Sequence, residues 1–160
     1  MYLVECKPDT VLIKTLTLTS RKNIVHAGNK SELLKKLTER YSNSKGIIDE
    51  DPWSIQPPYL QKFKERQDLT RHNLKILHQT SKNNTVIVIR PRLEEWILEA
   101  SREANLNLKK YEIPEDATIL HRQINIKIDK LEKLLTDLKQ KSNRFKTLKK
   151  YLQTQGPSYH

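Results

Sequence analysis

Glycine and cysteine are the scarce residues of this 160-residue chain, which has three of the first and one of the second. So few glycines exclude collagen-like and Gly-rich disordered chains and leave no material for a Gly-rich phosphate loop. The pattern G-x-x-x-x-G-K-[ST] is absent, so P-loop nucleotide hydrolysis is excluded. Cys6 stands alone, which rules out a disulfide framework and any Cys-based zinc cluster. No apolar run approaches the roughly 20 residues of a membrane span. The opening Met1-Tyr2-Leu3-Val4-Glu5 lacks a basic leader, a long apolar stretch and a small-residue cleavage site, which predicts a cytoplasmic protein with no membrane partner. The histidines (His26, His72, His78, His121 and His160) show no metal spacing such as H-E-x-x-H, and surface or strand positions are predicted for most of them.

What is abundant is positive charge. Lys and Arg number 30 against 19 Asp and Glu, a formal net charge of +11. The sequence pI is about 9.7. A chain this basic meets a polyanion, and nucleic acid is the expected partner. The excess is uneven: positions 121–160 hold 10 Lys and Arg but 3 Asp and Glu. The chain is 36% hydrophobic and has a mean hydropathy of −0.75. That is lean, but this length still closes one core, or one core with a helical appendage.

The first part reads as alternating strands and helices. Short apolar runs at 2–6, 23–27 and 46–50 predict strands. A helix is predicted from Asp9 to about Leu16, with Asp9 as its cap. A second is predicted over 31–41, where Leu33, Leu34 and Leu37 share one face. Positions 52–70, with three prolines, Trp53, Tyr59 and Phe63, predict an ordered loop with a helical turn or two. Trp53 and Tyr59 are read as packing that loop, with base stacking as the rival role. Two more strands are predicted over 74–78 and 85–90, joined by a polar turn at 81–84. A helix follows over 93–104, with Trp96 on its core face. From Ile124 the apolar stripe Ile124, Ile128, Leu131, Leu135, Leu138 predicts a long amphipathic helix, broken near Ser142 and Asn143. The expected fold is α/β, a mainly parallel Rossmann-like sheet flanked by helices. The expected organisation is a core over 1–104 and a basic helical extension over 105–160 packed on or next to it.

In a parallel α/β sheet, functional groups collect beyond the carboxyl ends of the strands. Glu5 ends the first predicted strand, and Asp49 and Asp51 end the third. Period-two alternation puts Asp49 and Asp51 on one side. Three carboxylates at one edge repel unless a cation sits among them. Hard oxygen ligands suit Mg²⁺ (or Mn²⁺), which with a phosphodiester is equipment for phosphoryl chemistry.

Those residues resemble the Toprim domain family of topoisomerases, primases, recombination mediators and small nucleases. The likeness is carried by V-E-C-K-P-D (4–9), H-A-G-N-K-S (26–31), G-I-I-D-E-D-P (46–52) and R-P-R-L-E-E-W-I-L (90–98). The last is similar to a segment of small stand-alone members associated with phage defence and overcoming-lysogenization-defect nucleases. The resemblance implies a Toprim-like fold over about 1–104, with Glu5 as general acid or base and Asp49 and Asp51 as Mg²⁺ ligands. It also implies a defence role in which a partner ATPase or other subunit switches the nuclease on. One departure is visible: a Gly commonly follows the Glu in that family, and here it is Cys6.

Accessory candidates surround this set. Asp9 either caps a helix or aids metal binding. Glu94 and Glu95 open a helix beside the same edge and are candidates for a supporting or second-metal role, or simply answer the helix dipole. Lys30, at a strand-to-helix turn, and Arg90 and Arg92 are candidate phosphate contacts. Lys130, Lys133 and Arg144 are candidates on the basic C-terminal face, which could bind nucleic acid or mediate oligomerisation. The expected function is Mg²⁺-dependent hydrolysis of DNA or RNA. The alternative is a non-catalytic Toprim-like module that binds nucleic acid or protein.

Overall fold

The computed structural model describes residues 1–154. His160 lies outside them. The chain builds one six-stranded sheet in the order β2-β1-β3-β6-β5-β4. Strands β1 (Tyr2–Val4), β2 (Ile24–His26), β3 (Lys45–Asp49) and β6 (Asn84–Ile89) run parallel. Strands β5 (Leu74–Gln79) and β4 (Lys64–Leu69) complete the sheet antiparallel. The molecule is therefore α/β with a mostly parallel sheet.

Alternation along the strands sorts side chains to two faces. Val4, Ile47, Ile87 and Ile89 enter one apolar cluster, with helices α1 (Lys7–Thr17) and α3 (Leu93–Glu103). Leu3, Ile48, Val86 and Val88 enter the other, under α2 (Lys30–Arg40) through Leu33, Leu34 and Leu37. Because β3 and β6 are covered on both faces, they read as continuous apolar runs rather than alternating ones. Helices α1 and α2 cover opposite faces, so the chain reverses its winding between β1 and β3. The carboxyl ends of those two strands flank the crevice where α/β sheets bind ligands.

Residues 105–154 share the first cluster. Helices α4 (Ala117–Gln123), α5 (Ile128–Lys141) and α6 (Asn143–Gln153) supply Leu120, Leu131, Leu135, Leu138, Phe145 and Leu148 to it. The Trp96 and Phe145 ring centroids lie 5.0 Å apart. The long C-terminal helix is two helices, divided at Ser142, whose hydroxyl accepts from the Phe145 N–H. At the far end of the sheet the Lys45 ammonium donates to the Tyr151 and Leu152 carbonyls at 2.7 and 3.0 Å, anchoring the α6 C-terminus where a cation is favoured. Among the described residues, no helix is long and apolar enough to cross a membrane.

Several boundaries differ from expectation. Strand β1 stops at Val4, and α1 starts at Lys7 because Pro8 is tolerated in a first helical turn. Cys6 is then the cap residue, and Asp9 lies inside the first turn. The 52–70 loop holds the expected short helical turn at Pro58–Lys62, but it ends in strand β4. That strand, K-E-R-Q-D-L, is almost wholly exposed and bulged near Glu65. A polar, bulged edge strand shows no hydrophobic period to read. Helix α4, capped by Asp116, also precedes the long amphipathic helix predicted to start at Ile124.

Candidate active site

The tight joins at the ends of β1, β3 and β6 bring the acidic residues together. Glu5 follows β1 and is half-buried; its Oε2 accepts from the Asp49 backbone N–H at 3.4 Å. Asp49 is the last residue of β3, and its Oδ1 accepts from the Leu93 N–H at 3.1 Å, at the start of α3. Asp9 is 5% exposed, and its Oδ2 accepts from the Glu5 N–H, the Cys6 N–H and the Cys6 thiol, each at 3.3 Å. Glu94 is 6% exposed. Its Oε1 meets His121 Nδ1 at 3.1 Å, while its Oε2 is buried without a partner. Asp51 sits at φ 46°, in the left-handed region. The strand has ended there, so the turn after Asp49, rather than strand alternation, places its carboxylate.

The electrostatics follow from that crowding. Asp49 is pushed up to about 9, first by burial and then by the carboxylates of Asp9, Glu5, Glu94 and Asp51. Asp9 is pushed up to about 7 by burial and by Glu5, against the pull of its Cys6 and Glu5 donors. Glu5 is raised by burial, although the Asp49 N–H and the Lys30 ammonium oppose the shift. The Cys6 thiol is held well above its ordinary value by burial and by Asp9, so it is no nucleophile. Five of the predicted acids (Glu5, Asp9, Asp49, Asp51 and Glu94) thus form one field.

Lys30 is the cation built into this field. It is 9% exposed, lies 3.4 Å from Asp51 Oδ2, and donates to the Glu50 carbonyl and to Gln56 Oε1 at 3.1 and 3.2 Å. Gln56 in turn donates to the carbonyls of Glu50, Asp51 and Ser54 and clamps the acidic turn. Neither Gln56 nor His121 stands out in the sequence: a lone Gln in a Pro-rich loop and a lone His on a helix carry no spacing signal.

The other predicted residues lie apart from the acidic centre or are engaged. Glu95 is engaged by Arg92, which also lies in the field of Glu94 and Asp51. Arg92 stands 5.4 Å from the ring centroid of Trp53, which is 63% exposed rather than packed into its loop. Arg90 bonds Asp68 at 2.8 Å and lies 3.3 Å from Glu50. Tyr59 donates to Glu39 at 2.6 Å. Lys130 pairs with Glu112, and Lys133 is exposed. Arg144 is 4% exposed and forks onto Glu103 at 2.8 and 3.1 Å, so it faces the fold and not a ligand.

Among the described residues, no three Asp, Glu, His or Cys side chains are grouped closely enough to hold one metal ion. Mg²⁺ keeps several waters and commonly takes only one or two protein carboxylates together with substrate phosphate. Glu5 just after β1 and Asp49 at the end of the adjacent β3, with the unpartnered Glu94 oxygen nearby, are a donor set of that kind. Comparison with protein-family models, with curated proteins and with solved structures finds no match to this chain.

Proposed function

We propose that this chain is a Toprim-type, Mg²⁺- or Mn²⁺-dependent nuclease that hydrolyses phosphodiester bonds in DNA or RNA at the carboxylate cluster. The observation that carries the reading is Asp49. It is a half-buried carboxylate ringed by four others, at the crevice between β1 and β3. An acidic field of this density is costly unless a cation or a proton neutralises it. Glu5 and Asp49 would hold the ion, with Asp51 and Glu94 adding negative potential. The bound ion would supply charge stabilisation for the phosphoryl oxygens and an acidified water. Glu5, half-buried and with its pKa raised, is suited to pass a proton to or from the reacting oxygen. The Leu93 and Asp49 backbone donors fix the two carboxylates in place.

One observation favours the second reading, a non-catalytic binding module. The Lys30 ammonium already bridges Asp51, so part of the acidic charge is answered without metal. Cleavage of labelled single- and double-stranded DNA and RNA in Mg²⁺ and Mn²⁺ separates the two. Under the nuclease reading the wild type cleaves at least one substrate, and Asp49→Asn, Asp51→Asn and Glu5→Gln each reduce the rate by roughly 100-fold or more without unfolding the chain. Absence of wild-type cleavage on every substrate, with nucleic-acid binding retained, supports the binding module.

A further inference from the structure

We propose that the groove between α1, α5 and edge strand β2 is the track for a single nucleic-acid strand leading to the carboxylate cluster. This rests on the nuclease reading for what the track feeds, but not for what it binds. The groove encloses about 850 Å³. Its rim carries Lys7, Lys14, Arg21 and Lys139 against one acid, Glu132. Among the described residues none of these four cations forms an ion pair. That separates them from Lys30, Arg90, Arg92, Lys130 and Arg144, which are all engaged. Unpaired cations around one concavity are the footprint of a polyanion.

Position supplies the second argument. Lys7 is the first residue of α1, two places after Glu5, and His26, at the carboxyl end of β2, lines the same groove. One end of the groove therefore lies at the carboxyl ends of β1 and β2, the end of the sheet that holds the acidic centre. Lys14, in the last turn of α1, and Arg21, just before β2, carry the rim to the amino-terminal end of the strands. Eleven helical residues span about 16 Å, enough for several nucleotides. Helix α1 packs directly on α5, which leaves a furrow along their seam rather than a broad channel. Between the cations, Val11, Ile24, Ile128 and the 80%-exposed Leu18 give an apolar floor on which bases can lie.

The test is fluorescence anisotropy of labelled single-stranded DNA and RNA of about 12 nucleotides, within the usual range of site sizes. EDTA is present, so binding is read without chemistry. Three proteins are compared: the wild type, a groove variant (Lys14→Gln, Arg21→Gln, Lys139→Gln) and an α6 variant (Lys146→Gln, Lys149→Gln, Lys150→Gln). All six positions are at least partly exposed and stand outside the ion pairs, and circular dichroism monitors the fold. The groove variant should lower the salt slope by about 0.7 per cation, roughly 2 in all, and weaken binding about 100-fold near 0.1 M salt. The α6 variant should bind as the wild type does. Unchanged binding by the groove variant, or loss confined to the α6 variant, overturns the track. So does equal competition by an oligoglutamate peptide, which would assign the groove to an acidic polypeptide added along β2. Groove-dependent binding without metal-dependent cleavage refutes the nuclease reading alone, whereas cleavage with groove-independent binding refutes the track alone.

Discussion

At the scale of the residue, Asp49 and Asp9 make the metal-free protein sensitive to alkali. Their folded pKa values, about 9 and about 7, lie above the ordinary aspartate value of 3.8. Between about pH 4 and pH 9 the folded chain therefore holds protons that the unfolded chain has released, and stability falls as pH rises through that window. In EDTA, the melting temperature of the wild type should decline from pH 5 to pH 9. Asp49→Asn should flatten the decline and melt higher at pH 8, because the amide keeps the shape and removes the repulsion. In a chain of this size each kcal/mol gained moves Tm by about 2–4 °C. A parallel decline in both proteins would mean that Asp49 is not the protonated group.

At the scale of the element, Asn84 ties three pieces together. It is fully buried at the start of β6, its Oδ1 accepts from the Ser44 N–H, and its Nδ2 donates to the Leu37 and Tyr41 carbonyls ending α2 and to Gln79 Oε1. Asn84→Ala leaves several of these groups unpaired away from water and should cost about 2–3 kcal/mol in urea unfolding. Asn84→Asp should be no better, because the carboxylate cannot donate to the two carbonyls. Elements of this sheet were legible where burial imposed a period. Strands β3 and β6 and helices α2 and α3 announce themselves by Ile, Val and Leu spacing. Strand β4 and helix α4 do not, since the first is a charged edge and the second buries only Leu120. The acidic centre was legible for the same reason as the strands: Glu5 directly follows one readable element and Asp49 ends another. Lys30 was legible as a cation at a strand-to-helix turn, though not as the partner of Asp51, whereas Gln56 and His121 reach the acidic cluster through a loop and a helix whose path no local pattern encodes.

At the scale of the whole molecule, residues 105–154 belong to the core of the sheet. Helices α5 and α6 complete the cluster under α1 and α3, and Phe145 packs at a tilt against Trp96. Cutting the chain after residue 104 strips that cover, so the fragment should lack a cooperative melt and expose Trp96 to solvent, seen as a red-shifted emission. Phe145→Ala in the full chain should cost about 3–5 kcal/mol, the usual range for a buried aromatic, measured by denaturant unfolding. A fragment of residues 1–104 that melts cooperatively would contradict this shared core.

The claim on which function turns is that a divalent ion belongs beside Glu5 and Asp49. Titration calorimetry of Mn²⁺ into the metal-free protein at pH 7.5, repeated in buffers of different ionisation enthalpy, tests it most directly. Because Asp49 holds its proton to about pH 9, metal must displace it on binding. The account predicts saturable binding with release of about one proton, abolished in Asp49→Asn. Absence of binding, or binding that Asp49→Asn leaves intact, would contradict it.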